Sequence, residues 1–73
     1  MIEINPKYVD AYYNRGVAKY ALEDYTGAIA DYTQAIEINP KYVDAYYNRG
    51  VAKSDLGDKA GAEEDFKKAK ELE

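Results

Sequence analysis

The chain has 73 residues, with 14 Asp and Glu against 10 Lys and Arg, no His and no Cys. A core of that size leaves only about 3–5 kcal/mol of net stability, and without thiols or imidazoles the chain excludes disulfides, cysteine redox chemistry and the usual zinc sites. The net charge of −4, with acids interleaved among bases, argues against a nucleic-acid partner. The absence of any apolar run near the roughly 20 residues of a bilayer span argues against a membrane, so a soluble protein is expected, cytoplasmic or, if designed, recombinant only.

Ile2–Ile4 match the tail of a helix, and Asn5-Pro6 breaks it, because Pro lacks an N–H and pushes the preceding residue out of helical space. From Val9 to Leu22, small and apolar residues recur near a 3.6 period and predict a first A helix. After a turn at Glu23 and Asp24, the residues Ala28, Ile29, Tyr32, Ala35, Ile36 and Ile38 fall at i, i+3, i+4 and i+7, predicting a B helix over Tyr25–Ile38. Asn39-Pro40 breaks the chain again. An A helix near Val43–Leu56 and a B helix near Lys59–Leu72 follow.

The eighteen residues Ile2–Lys19 recur unchanged at Ile36–Lys53, a period of 34 residues. A period of that length without strand alternation predicts stacked helical hairpins, each unable to bury its apolar face alone. The expected fold class is therefore all-α: an α-α superhelix of two 34-residue repeats in antiparallel helix pairs. It forms one domain over 1–73, with a stub at 1–8 and repeats at 9–42 and 43–73. Such a chain is first of all a surface for other proteins.

The spacing Tyr12-x2-Arg15-Gly16-x2-Lys19, Ala28-x3-Tyr32 and Pro40, repeated as Tyr46, Arg49, Gly50, Lys53, Ala62 and Phe66, resembles the tetratricopeptide repeat family over nearly the whole chain. Gly16, Ala28, Gly50 and Ala62 are the small residues that let A and B backbones approach, and Tyr12, Tyr32, Tyr46 and Phe66 fill the space between helices. The family usually carries Leu at the Arg15 and Arg49 positions and an aromatic at Lys19 and Lys53. An Arg on a half-buried face calls for an acid, and Asp31 and Asp65 are offered at matching places, so Arg15 is expected to pair with Asp31 and Arg49 with Asp65. The alternative is that the two guanidinium heads point to water over buried stems.

The two copies also differ in the A-to-B turn. Gly57 can adopt the left-handed conformation that ends a helix, whereas Glu23 pays a steric penalty there. The first turn is then the weaker one. Either Glu23 makes a slightly strained turn, or the first A helix runs on through it and halves are exchanged between chains.

No catalytic site is expected, and no cofactor. Ser54, Thr26 and Thr33 have no base placed beside them, the Glu63-Glu64-Asp65 run points in several directions around one helical turn, and the glycines are isolated rather than gathered in a phosphate loop. The enzyme classes are thereby excluded.

One side of each A helix carries a stripe at i, i+3, i+4 and i+7: Asp10, Tyr13, Asn14 and Val17, then Asp44, Tyr47, Asn48 and Val51. The resemblance implies that this side lines a concave groove for an extended or helical peptide, and Tyr and Asn suit a peptide backbone. Asn14 and Asn48 match the Asn of the family's carboxylate clamp. The clamp's Lys and Arg partners are not matched, since Tyr13, Tyr47 and Asp residues stand in the stripe. The alternative is a groove surface with no ligand.

The last helix is polar at Glu63, Lys67, Lys68 and Lys70, as a terminal cap should be, while Tyr8, Val9 and parts of Tyr12 are expected to lie open on the first. An open apolar face on a marginal domain is an association site, which predicts a homo-oligomer. Two functional readings follow: a non-catalytic protein–protein interaction scaffold binding a protein or peptide ligand on its groove, or an engineered or excised repeat module whose main behaviour is self-assembly. The unvaried block suits the second.

Overall fold

A computed structural model describes residues 6–73, with side chains from Tyr8 onward; the Ile2–Ile4 helix tail lies outside the described residues. Four helices follow in order: α1 (Pro6–Ala21), α2 (Tyr25–Ile38), α3 (Val43–Asp55) and α4 (Lys59–Leu72). They form two antiparallel hairpins, α1 with α2 and α3 with α4, joined through the packing of α2 on α3. The described part is a slab of 37 × 29 × 18 Å. None of its helices is long and apolar enough to cross a membrane.

Both B helices have the bounds that the apolar period marks. The first A helix begins three residues earlier than Val9, so residues 6–8 belong to α1 rather than to a stub. Proline is favoured at the first helical position, where a missing N–H costs nothing. The same Asn-Pro-Lys-Tyr sequence does not start a helix in copy two. There Asn39 caps α2 by donating its N–H to the Ala35 carbonyl, its side-chain oxygen accepts from the Lys41 N–H at 3.1 Å, and its carbonyl accepts from Tyr42. Those bonds hold Pro40 in a turn and delay α3 to Val43.

The two A-to-B turns are built alike despite their different residues. Glu23 donates its N–H to the Tyr20 carbonyl and Asp24 to Lys19, and Gly57 and Asp58 do the same to Ser54 and Lys53. This paired closure needs a left-handed residue after the helix, and Glu23 takes φ 63° where Gly57 takes φ 88°. Asp24 and Asp58 then cap the next helix, accepting from the N–H of Gly27 and of Gly61, each at 3.0 Å.

The hairpins close because the A helices carry no side chain at the crossing. A Cβ on Gly16 would meet the Tyr32 ring at 2.7 Å, and one on Gly50 would meet the Phe66 ring at 2.8 Å and the Ala62 carbonyl oxygen at 3.1 Å. Tyr32 is 1% exposed as a result, beside fully buried Ala28. The central core gathers Val9, Ala35, Ile36, Ala45, Tyr46 and Ala69, with Tyr12, Tyr13, Ile38, Tyr42, Val43 and Leu72 packed against it.

Two expectations about the start of the chain need correcting. Val9 is 6% exposed and belongs to the core, because its position on α1 turns it toward the α2 side rather than to the open one. Tyr12, expected in the core like Tyr46, is only half-buried. The reason is neighbourhood: α2 covers the outer face of α3, and no described helix takes that place against α1. Ala11 and Ala18 are exposed for the same reason, whereas Ala45 and Ala52 are fully buried.

Candidate functional site

Each hairpin is clasped on one side by a buried carboxylate. Arg15 donates to Asp31 through Nε at 2.9 Å and Nη2 at 2.8 Å, and Arg49 to Asp65 at 2.9 and 2.7 Å. The paired geometry is the strong form of this interaction. It settles the arginine question in favour of the ion pair, although the Arg15 side chain remains 59% exposed against 17% for Arg49. Lys19 and Lys53, which stand where the repeat pattern has an aromatic, complete each clasp at 3.3 and 3.2 Å. Each guanidinium also lies over a tyrosine ring, Arg15 at 5.4 Å from Tyr12 and Arg49 at 5.5 Å from Tyr46. The Arg15 hydrogen bonds, backed by Lys19, outweigh burial and hold the Asp31 carboxyl below the usual carboxylate range. Arg49 has one bond that Arg15 lacks: its Nη1 donates to Thr33 Oγ1 of the preceding hairpin at 3.2 Å.

The stripe residues lie on a different side of α1 and α3, and the structure divides them. Asn48 donates its amide N–H to the Tyr13 hydroxyl at 2.6 Å, linking the two A helices. Tyr13 is half-buried, stacked at 5.0 Å on Tyr42 and tilted at 5.7 Å against Tyr32. Asp10 accepts from the Tyr42 hydroxyl at 3.3 Å. Val51 is half-buried, whereas Asn14, Val17 and Asp44 are exposed and make no side-chain hydrogen bond among the described residues. Tyr47 is 55% exposed with one ring face on Phe66 at 5.3 Å. The face therefore has a fixed floor, Tyr13–Asn48–Tyr42, and a rim of free groups, Asn14, Val17, Asp44 and Tyr47.

Sequence reasoning passed over three members of this face. Tyr42 is the stacking partner of Tyr13, and the Tyr20 hydroxyl donates to Asp55 Oδ2 at 2.5 Å across α1 and α3. The signal was present, because Tyr20 and Asp55 stand where the copies cease to match, opposite Ser54 and Ala21 in the repeat register. The hydrogen bond to Asp55 raises the Tyr20 hydroxyl to about 12. Burial, with Asp10 beside it, does the same for Tyr42, and burial followed by Asp44 raises Tyr13.

Tyr8, Ala11, Tyr12 and Arg15 line a cavity of about 270 Å³ on the outer side of α1. This is not the stripe face. Of its counterparts on α3, Ala45 and Tyr46 are buried and Arg49 reaches Thr33 of α2, while Tyr42 turns to Tyr13 of α1.

Antiparallel hairpins recurring at 34 residues, joined by α2 on α3, define a helical-hairpin solenoid. Two family models match, one described as TPR repeat over residues 18–57 and one as tetratricopeptide repeat over residues 43–73. The chain belongs to the tetratricopeptide repeat family, whose members are in general non-catalytic scaffolds for protein–protein contacts. Among solved structures it is similar to the crystal structure of MamA, with a TM-score of 0.87 and 35% identity over 89% of this chain. The match spans 38% of that protein's length. No curated protein matches the chain.

Proposed function

We propose that the chain holds a peptide ligand on the face shared by α1 and α3. The observation that carries this is the combination of a rigid floor with an unspent rim. Tyr13, Asn48 and Tyr42 are fixed by one another at 2.6 and 5.0 Å, while Asn14 and Tyr47 project without hydrogen-bond partners among the described residues. Preorganised aromatic area lowers the entropic cost of binding, and a free amide can read a peptide backbone. A fluorescence-anisotropy screen of labelled peptides, run on the wild type and on Asn14→Ala and Tyr47→Ala variants, tests it. Ligands bound equally by all three proteins would remove this face from consideration.

A second reading has its own support in the cavity at Tyr8, Ala11, Tyr12 and Arg15. The counterparts Ala45 and Tyr46 on α3 are buried where α2 packs on that helix, so the uncovered copy on α1 suits self-association. Exchange of hairpins through the strained Glu23 turn is a further route to the same end. Light scattering at high protein concentration decides it, since a single-chain mass ends this reading and leaves the peptide face untouched.

A further inference from the structure

The charge of the α1–α3 face selects its ligand. Each A helix places one aspartate one turn before a tyrosine, Asp10 before Tyr13 and Asp44 before Tyr47, and Asp55 adds a third carboxylate held at Tyr20. Asp10 and Asp44 are exposed; the first has one oxygen engaged by Tyr42, and the second has no side-chain partner among the described residues. Among the described side chains no cation on the same helices answers them. Arg15 and Lys19 are committed to Asp31, and Arg49 and Lys53 to Asp65, on the side that faces the B helices. Lys41 lies in the turn ahead of α3, and Lys59, Lys67, Lys68 and Lys70 belong to α4. The hairpin clasps thus absorb the described cations of the A helices, Arg15, Lys19, Arg49 and Lys53, and leave the described part of their shared face negative. Burial is the largest cause of the raised Tyr13, Tyr42 and Tyr25 hydroxyls, and Asp44, Asp10 and Asp55 respectively raise them further.

We infer that the ligand of this face is a basic peptide, carrying at least two Lys or Arg side chains, one for Asp10 and one for Asp44. This rests on the peptide-face reading above and names its ligand class. The aliphatic stems would cross the exposed Tyr47 and Val17 surfaces and bring the cationic heads to the carboxylates, and an aromatic face beside a carboxylate favours a cation twice over. A peptide presenting a carboxylate terminus meets the opposite sign here and is disfavoured.

The test is anisotropy titration of the full chain with three labelled peptides of equal length: one rich in Lys and Arg, one rich in Glu, one built from Gln and Ser. The basic peptide is expected to bind, more weakly as salt is raised. Asp10→Asn and Asp44→Asn should each weaken it roughly two- to fivefold, the range of exposed ion pairs. Asn14→Ala should weaken all binding, and the Glu63→Gln/Glu64→Gln variant of α4, a matched loss of charge elsewhere, should change nothing. Melting curves confirm that the variants fold. If the Glu or Gln/Ser peptide binds as tightly and is still weakened by Asn14→Ala, the charge assignment is overturned while the peptide face stands. If the basic peptide is weakened as much by the α4 variant as by Asp10→Asn, or if Asn14→Ala is silent, the face itself is overturned. Failure of all three peptides to bind overturns both.

Discussion

Arg49 and Arg15 grip their carboxylates with the same atoms at the same sequence spacing, yet Arg49 alone reaches back to the preceding hairpin, through Thr33 at 3.2 Å. One guanidinium thereby ties three helices together, α2, α3 and α4, and the other ties two.

Replacing Arg49 by Leu should therefore be the costlier of the two substitutions. It strands the Asp65 carboxylate, 5% exposed, with only Lys53 at 3.2 Å. Breaking a buried pair by removing one partner costs about 3–5 kcal/mol, and the remaining lysine brings the expectation to the bottom of that range or just below it, about 2–3 kcal/mol. Arg15→Leu should destabilise less, since its side chain is mostly in water. Urea denaturation of the two variants gives the comparison, and equal losses would contradict it.

Glu23→Gly should stabilise the chain. The left-handed region is expensive for a side-chain-bearing residue, at roughly 1–2 kcal/mol, and glycine returns part of that as added freedom in the unfolded state, leaving a gain of about 0.5–1 kcal/mol. The reciprocal change, Gly57→Ala at φ 88°, should cost about 1 kcal/mol. Thermal melts in opposite directions for the pair would establish the point.

Gly50→Ala should be disruptive at a position that looks innocuous in a helix. Alanine is the better helix former by about 1 kcal/mol, but its Cβ would sit 2.8 Å from the Phe66 ring and 3.1 Å from the Ala62 carbonyl oxygen, and the carbonyl cannot swing away. Overpacking of this kind costs about 1–3 kcal/mol. A melting temperature at or above that of the wild type would show that α3 and α4 separate more easily than the contact implies.

At the alkaline end, Tyr20, Tyr32 and Tyr42 should titrate late. Their hydroxyls are raised to about 12, by the Asp55 hydrogen bond for Tyr20 and chiefly by burial for the other two. The unfolded value is about 10, so the stability they contribute is complete below about pH 10 and is lost as pH rises toward 12. Phenolate absorbance followed against pH should show Tyr20, Tyr32 and Tyr42 ionising late and cooperatively, together with loss of helical signal. Asp31 works in the opposite sense: its lowered carboxyl stabilises the fold above the ordinary Asp range and loses that contribution as acid protonates it.

The repetition and the apolar period made the fold legible before any coordinates. They marked the glycine crossings at Gly16 and Gly50, the left-handed demand on Glu23 and both Arg–Asp clasps, because each depends on one local spacing plus one physical requirement. The second cation of each clasp and the bonding within the stripe were not legible. Lys19 reads only as a departure from the repeat pattern until α2 is placed beside it, and Tyr13 reads as a groove residue until α3 brings Asn48 to its hydroxyl. Val9 and Tyr12 show the same limit from the other side: a period gives a face, but only the neighbouring helix decides which part of that face is covered.

The bond between Tyr20 and Asp55 helps to set the order of the two hairpins. Up to Lys19 and Lys53 the A helices are identical, so their mutual contact would offer almost the same surface in either succession, although α2 and α4 differ in polarity. In the succession observed, a phenol meets a carboxylate at 2.5 Å; with the hairpins permuted, Ser54 would come opposite Ala21 and no bond could form. This unlike pair, placed just beyond the end of the identical block, thus works beside the polarity of α4 as a key that tells the first hairpin from the second.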